Sequence, residues 1–189
     1  MIRVVHLVRD PRGYLHSHKT LNWFAPNHKI IPRREDINIM QRCQETVDSL
    51  KITTQKSEQP RTSRKSGKYP PKNNFRYTVL RYEDIAINPV KEGLRLARFL
   101  ELKSENRIVS YFVNKTRKTK VRGDRSAFST SSRDIMHVMN KWKYQADMKF
   151  IRKIEFACEK VMILLGYKVL EDEDDLSKMD ASLIGEMEI

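Results

Sequence analysis

Apolar residues along the chain fall into periodic clusters separated by polar stretches, and their spacing predicts strands alternating with helices. Ile2 to Val8 reads IRVVHLV and ends at Arg9-Asp10-Pro11; a short β-branched run bounded by turn residues predicts a strand. Asp10 can cap, and Pro11 can open, a helix over about Pro11 to Lys19. A second helix is expected from about Arg34, with Ile37, Met40, Val47 and Leu50 on its apolar side. Residues 52–74 lack apolar periodicity, contain three prolines and carry Arg61, Arg64, Lys65, Lys68 and Lys72, which predicts a mobile basic loop.

Phe75 to Tyr82 (FRYTVLRY) reads as a second strand, and Asn88-Pro89 opens an amphipathic helix bearing Leu94, Ala97 and Leu100. Ser104 is placed to cap a further helix with Ile108, Val109, Phe112 and Val113 on one side. After a polar, basic stretch over 115–132, helices are expected over about Arg133 to Lys143 and Met148 to Leu165. Ile151, Ile154, Val161 and Leu165 share a face of the latter, and Gly166 stops it. Strands joined through helices pair in parallel, and parallel sheets are covered on both faces and ordinarily have more than two members. Two strands make a poor sheet, so further strands preceding residue 1 are expected.

The chain of 189 residues fits one domain. Its formal net charge of +13 understates its basic character. Residues 171–189 hold eight acids against Lys178 alone, so the rest carries about +20. Residues 1–170 are therefore read as the domain and 171–189 as an acidic, disordered tail. Such a basic surface attracts polyanions, whether nucleic acid, anionic membrane or phosphorylated and sulfated ligands. No run approaches the roughly 20 apolar residues of a membrane span. Cys43 and Cys158 are too few for a disulfide scaffold, and no Cys or His stands near either at a metal-ligand spacing. Two buried thiols and one long-range disulfide both remain open, and the helices carrying them are expected to bring them close.

The strand-to-helix turn at Arg9 has the chemistry of an anion site: the first helical amides are unpaired, the helix dipole is positive, and a guanidinium grips phosphate bidentately. Ser17, on the same helix, offers a hydroxyl to the same anion. An arginine before a helix is also a common surface ion-pair partner. The wording around it decides between these. HLVRDPRGYLHSH closely resembles the 3′-phosphate-binding signature of carbohydrate sulfotransferases that use 3′-phosphoadenosine 5′-phosphosulfate (PAPS), of the form LVRDPRAVLxSR. VLRYEDIAINPVKEGLRLARFLEL, residues 79–102, resembles the family's second block, RYEDLAxxP with a helix ending in FLGL. FSTSSRD, the pair Trp142-Lys143 and IEFACEKVMILLGY look like a third. Departures are Gly13-Tyr14, His18 and Lys143.

The likeness covers about residues 1–170 and is closest to the branch that sulfates the 6-hydroxyl of galactose or an N-acetylhexosamine. It implies an α/β sulfotransferase fold, a parallel sheet flanked by helices and related in shape to P-loop kinases. It implies that Arg9 and Ser17 bind the 3′-phosphate and that Tyr82 lies near the adenine; a core-facing tyrosine is the plainer alternative for Tyr82. Arg122, Thr130 and Arg133 could reach the nucleotide from the basic stretch. It further implies PAPS as co-substrate, a glycan or glycosaminoglycan acceptor, no metal, and a Golgi-lumenal setting with any membrane anchor upstream. The family's 5′-phosphosulfate loop, R-S-G-S/T-S/T, has no counterpart in this sequence. Hence no catalytic residue is assigned, and the chain by itself is expected not to transfer sulfate. The alternative is a non-catalytic basic module that binds glycosaminoglycan or RNA. Only Tyr69 and Phe75 stand in or beside the basic loop as stacking aromatics, so nucleic acid is not expected.

Overall fold

β1 (Ile2–Val8) and β2 (Phe75–Arg81) pair in parallel, from Ile2 opposite Phe75 to Val8 opposite Arg81. Both the strands and their direction follow from the β-branched runs and the helical crossover between them. The computed structural model describes residues 2–20, 32–57, 75–116, 134–171 and 183–188, and among these the sheet has two strands. The fold is α/β and mainly helical. Ile2, Val4 and Leu7 remain exposed on β1, while Val8 and Val79 enter the core.

The crossover holds α1 (Pro11–Thr20) and α2 (Pro32–Ser57). α2 buries Ile39, Cys43, Val47 and Leu50, spaced by four, four and three residues as one helical stripe requires. Val47 and Leu50 are buried as expected, whereas Met40 is 60% exposed and Ile39 and Cys43 take the buried face in that part of the helix. α2 also runs to Ser57, six residues into the expected loop, because no Pro or Gly interrupts it before Pro60. Residues 58–74, the remainder of that basic loop, lie outside the described residues.

Tyr82 does not end β2 but opens α3 (Tyr82–Ile87). α4 (Pro89–Leu100) starts at the expected Asn88-Pro89, where the Asn88 side chain accepts the Lys91 N–H. It packs on α5 (Glu105–Thr116), with Gly93 against Val109. α6 (Ile135–Gln145) is capped by Asp134 and α7 (Met148–Ala157) by Asp147. The helix expected over Met148 to Leu165 is interrupted at Cys158 and resumes as α8 (Glu159–Leu164). Ile151, Ile154, Val161 and Leu165 are all buried, as their spacing predicts. Cys158 is bonded to Cys43, with Cα atoms 5.2 Å apart, within disulfide reach and inside the main core cluster.

Residues 183–188 correct the expectation of a disordered tail over 171–189. Ile184 forms an antiparallel bridge with Tyr167, Lys168 N–H donates to the Leu183 carbonyl, and Glu188 N–H donates to Leu164. Leu183 is buried beside Trp142, Ile151 and Leu170. The acidic composition concealed an apolar anchor, Leu183-Ile184, that pays for this ordering. Gly166, at φ 68°, permits it, since a side chain there would strain the backbone and collide with the Glu186 carbonyl.

Candidate nucleotide site

The site is built at the C-terminal end of β1, where open α/β sheets bind ligands. The Asp10 carbonyl accepts the Tyr14 N–H, its carboxylate accepts the Arg12 N–H at 2.8 Å, and Pro11 occupies the first helical position. Arg9 sits on the turn. Its Nη2 donates to the Val138 carbonyl at 3.2 Å, and its guanidinium lies 5.0 Å from the centre of the Tyr82 ring. Its Nε is buried and has no hydrogen-bond partner among the described residues. Two of the three residues implied by the resemblance thus meet directly.

Arg9 and Tyr82 line one cleft of about 490 Å³, together with Pro11 and Tyr14 of α1 and Arg42 and Thr46 of α2. Ser17 does not line it. It is half-buried and follows Gly13 by one helical turn, on the same stripe of α1. A Cβ on Gly13 would stand 2.9 Å from Trp142 Cδ1 and 3.5 Å from Arg9 Nε. Glycine at this position lets the Trp142 indole approach the helix backbone more closely than a side chain would allow. Arg122, Thr130 and Arg133 lie outside the described residues.

His18, where the signature has arginine, is buried against Tyr14 with ring centres 4.1 Å apart. Burial first, and then the charge of Arg42, lower its pKa to about 4, so it is neutral at physiological pH. Arg42 donates to the Tyr14 hydroxyl at 3.0 Å. α2 brings both a cation, Arg42, and a carboxylate, Glu45, to the lining of the cleft.

The acidic residues of the turn and of the RYED block face inward. Asp10 and Arg12 form a bidentate pair, Nη1 of Arg12 donates to Glu155 at 2.9 Å and to the Lys168 carbonyl, and Trp142 lies against the guanidinium. Glu83 accepts the Asp10 N–H at 3.0 Å and the Tyr167 hydroxyl at 2.7 Å. Burial first, and then the nearby Asp10 charge, raise its pKa. Asp84 is paired with Arg81, which also reaches the Leu165 and Gly185 carbonyls. With both Glu83 oxygens engaged inside the protein, neither acid of this block is presented to a reacting group.

Sequence reasoning did not single out Arg12. A signal was present: a cation in the first turn of a helix opposes the dipole and requires carboxylates nearby. Among the described residues no group of His, Cys, Asp and Glu could hold a metal.

A strand-turn-helix with this arginine and tyrosine at one cleft agrees with the comparison to known proteins, in which residues 1–166 match the model of the sulfotransferase domain. The chain belongs to this family. It is 28% identical over 186 residues to carbohydrate sulfotransferase 6 of Homo sapiens, covering 97% of this chain and 46% of that protein. It is 29% identical over 194 residues to carbohydrate sulfotransferase 5 of Mus musculus, with coverages of 96% and 45%. Against carbohydrate sulfotransferase 1 of Homo sapiens it is 26% identical over 195 residues, with 98% and 43%. The chain spans a little under half the length of these curated relatives. No solved structure matches it. At the level of the sulfotransferase family, the chemistry is sulfuryl transfer, and its relatives named above are carbohydrate sulfotransferases.

Proposed function

We propose that this chain forms the nucleotide-holding part of a PAPS-dependent carbohydrate O-sulfotransferase. The observation that carries the reading is Arg9, stacked on Tyr82 at the N-terminus of α1, at the carboxyl end of a parallel strand. Arg9 and Ser17 hold the 3′-phosphate, and Tyr82 lies beside the adenine. The buried Arg9 Nε, without a partner among the described residues, fits an anionic ligand there.

In the reaction, the bond from sulfur to the 5′-phosphate oxygen breaks as a sugar hydroxyl oxygen bonds to sulfur. The hydroxyl proton goes to a base, and 3′-phosphoadenosine 5′-phosphate (PAP) leaves. Arg9, Ser17 and Tyr82 contribute by positioning the leaving nucleotide. The donors that meet charge developing around the sulfuryl group belong to the R-S-G-S/T-S/T loop, which this sequence does not contain. The acceptor is a glycan or glycosaminoglycan, and the setting is the Golgi lumen, with any membrane anchor outside these residues. Asn114 of the Asn114-Lys115-Thr116 sequon is exposed on the last turn of α5, which suits a lumenal glycoprotein. N-glycosidase treatment of chain made in a secretory host should increase its gel mobility; unchanged mobility would remove this support.

The function is tested by retention on PAP-agarose in comparison with heparin at raised salt, followed by assay with radiolabelled PAPS and galactose or hexosamine acceptors. Selective elution by free PAP with negligible turnover by the chain alone is expected. Elution by salt alone from both resins would favour the basic polyanion-binding module instead. Turnover at ordinary enzymatic rates would place a complete sulfate cradle within these residues.

A further inference from the structure

We infer that Glu83 is a positioning residue for the nucleotide site, anchored by Tyr167, and that it couples the segment after α8 to the grip of Arg9. This rests on the nucleotide reading above. Glu83 is 3% exposed, and its two oxygens are held by different parts of the chain. One accepts the N–H of Asp10, the amide directly after Arg9, at 3.0 Å. The other accepts the hydroxyl of Tyr167 at 2.7 Å, from 84 residues away. Glu83 also follows Tyr82, the ring on which the Arg9 guanidinium lies. One carboxylate therefore fixes the peptide that carries Arg9 and the backbone that carries Tyr82, so it sets how the cation and the ring face each other.

Tyr167 is itself held in place. Its backbone N–H donates to Met162 at the end of α8, its ring lies below the Arg81 guanidinium, and Ile184 bridges to it. Glu83 touches no open part of the cleft, so it acts through Arg9 and Tyr82 rather than on a ligand. A fixed site requires such support, because a loosely held guanidinium loses the orientation on which bidentate phosphate binding depends.

The test is a set of PAP titrations of the intact chain by calorimetry, each with a melting curve. Tyr167→Phe keeps the ring packing and removes one hydrogen bond, and is expected to weaken PAP binding about three- to tenfold. Glu83→Ala should weaken it by at least as much. Glu83→Gln should restore it to within about twofold, since its carbonyl oxygen accepts from Asp10 and its amide donates to the Tyr167 hydroxyl. In an Arg9→Ala background, Tyr167→Phe should have a clearly smaller effect on affinity, the part that passes through Tyr82. A lower melting temperature with unchanged PAP affinity would reduce Glu83 and Tyr167 to structural roles and overturn the inference, as would full additivity of Tyr167→Phe with Arg9→Ala. Failure of the unaltered chain to bind PAP would instead remove the nucleotide reading itself, and this inference with it.

Discussion

Replacement of Arg12 by alanine is expected to lower the free energy of unfolding by about 3 to 5 kcal/mol, the range for breaking a buried ion pair from one side. Arg12 has no exposed surface. Its guanidinium satisfies both Asp10 oxygens, Glu155 and the Lys168 carbonyl, and it packs on Trp142 at 4.6 Å. Without it, two buried carboxylates lose their shared cation, and the Trp142 indole faces a void. Glu155 also accepts the Leu170 N–H, so the disturbance extends into the segment leading from Tyr167. Arg12→Lys should recover only part of the loss, because an ammonium cannot reproduce the planar fork that meets Asp10, Glu155 and a carbonyl together. Urea unfolding measures the effect as a lower midpoint at an unchanged slope. A loss below about 1 kcal/mol would mean that the network is open to water and that the turn is held by other means.

Reduction of the Cys43–Cys158 bond is expected to destabilise the chain by about 2 to 5 kcal/mol. The bond joins α2 to the α7–α8 junction across a sequence separation of 115 residues, and a loop of that order restricts the unfolded chain strongly. Both residues are buried in the main core cluster with Ile39, Val47 and Val161, so a Cys43→Ala, Cys158→Ala double variant adds a packing loss to the entropic one. Thiol titration of the denatured, unreduced chain should find no free thiol. Two titratable thiols in chain made under oxidising conditions would contradict the bond and weaken the case for a lumenal setting, where such bridges persist.

How much of this was legible in the sequence depended on the range of the interaction concerned. The strand ending at Arg9, the Asn88-Pro89 helix start and the buried face of Ile151, Ile154, Val161 and Leu165 are local patterns, and all stand where their periodicity puts them. The phasing of α2 was less secure. Val47 and Leu50 fit either choice of face, and it is the burial of Ile39 and of the disulfide-bonded Cys43, with Met40 exposed, that fixes the phase. Tyr82 continues an unbroken β-favouring run, FRYTVLRY, so the local pattern does not show that the strand ends at Arg81 and that α3 begins at Tyr82. The roles of Arg12 and Glu83 depend on Glu155 and Tyr167, partners 143 and 84 residues away, which no local pattern discloses. Arg9 and Tyr82 were found through motif wording rather than periodicity, and the structure brings them into contact. Ser17 stands beside Gly13 on α1 but outside the cleft that those two line.

The central claim is that Arg9 marks a nucleotide site, and a calorimetric titration of PAP into the unaltered chain and its Arg9→Ala variant tests it most directly. The guanidinium makes charge-assisted hydrogen bonds to phosphate, so its loss should weaken binding by about 1.5 to 3 kcal/mol, roughly 10- to 150-fold in Kd, while the variant remains folded. Arg9 is half-buried and lies outside the buried Arg12 network, so its removal, which gives up one hydrogen bond to the Val138 carbonyl and the Tyr82 contact, should lower the melting temperature far less than removal of Arg12 does. An Arg9→Ala chain that is folded and binds PAP as tightly as the unaltered one would contradict the account.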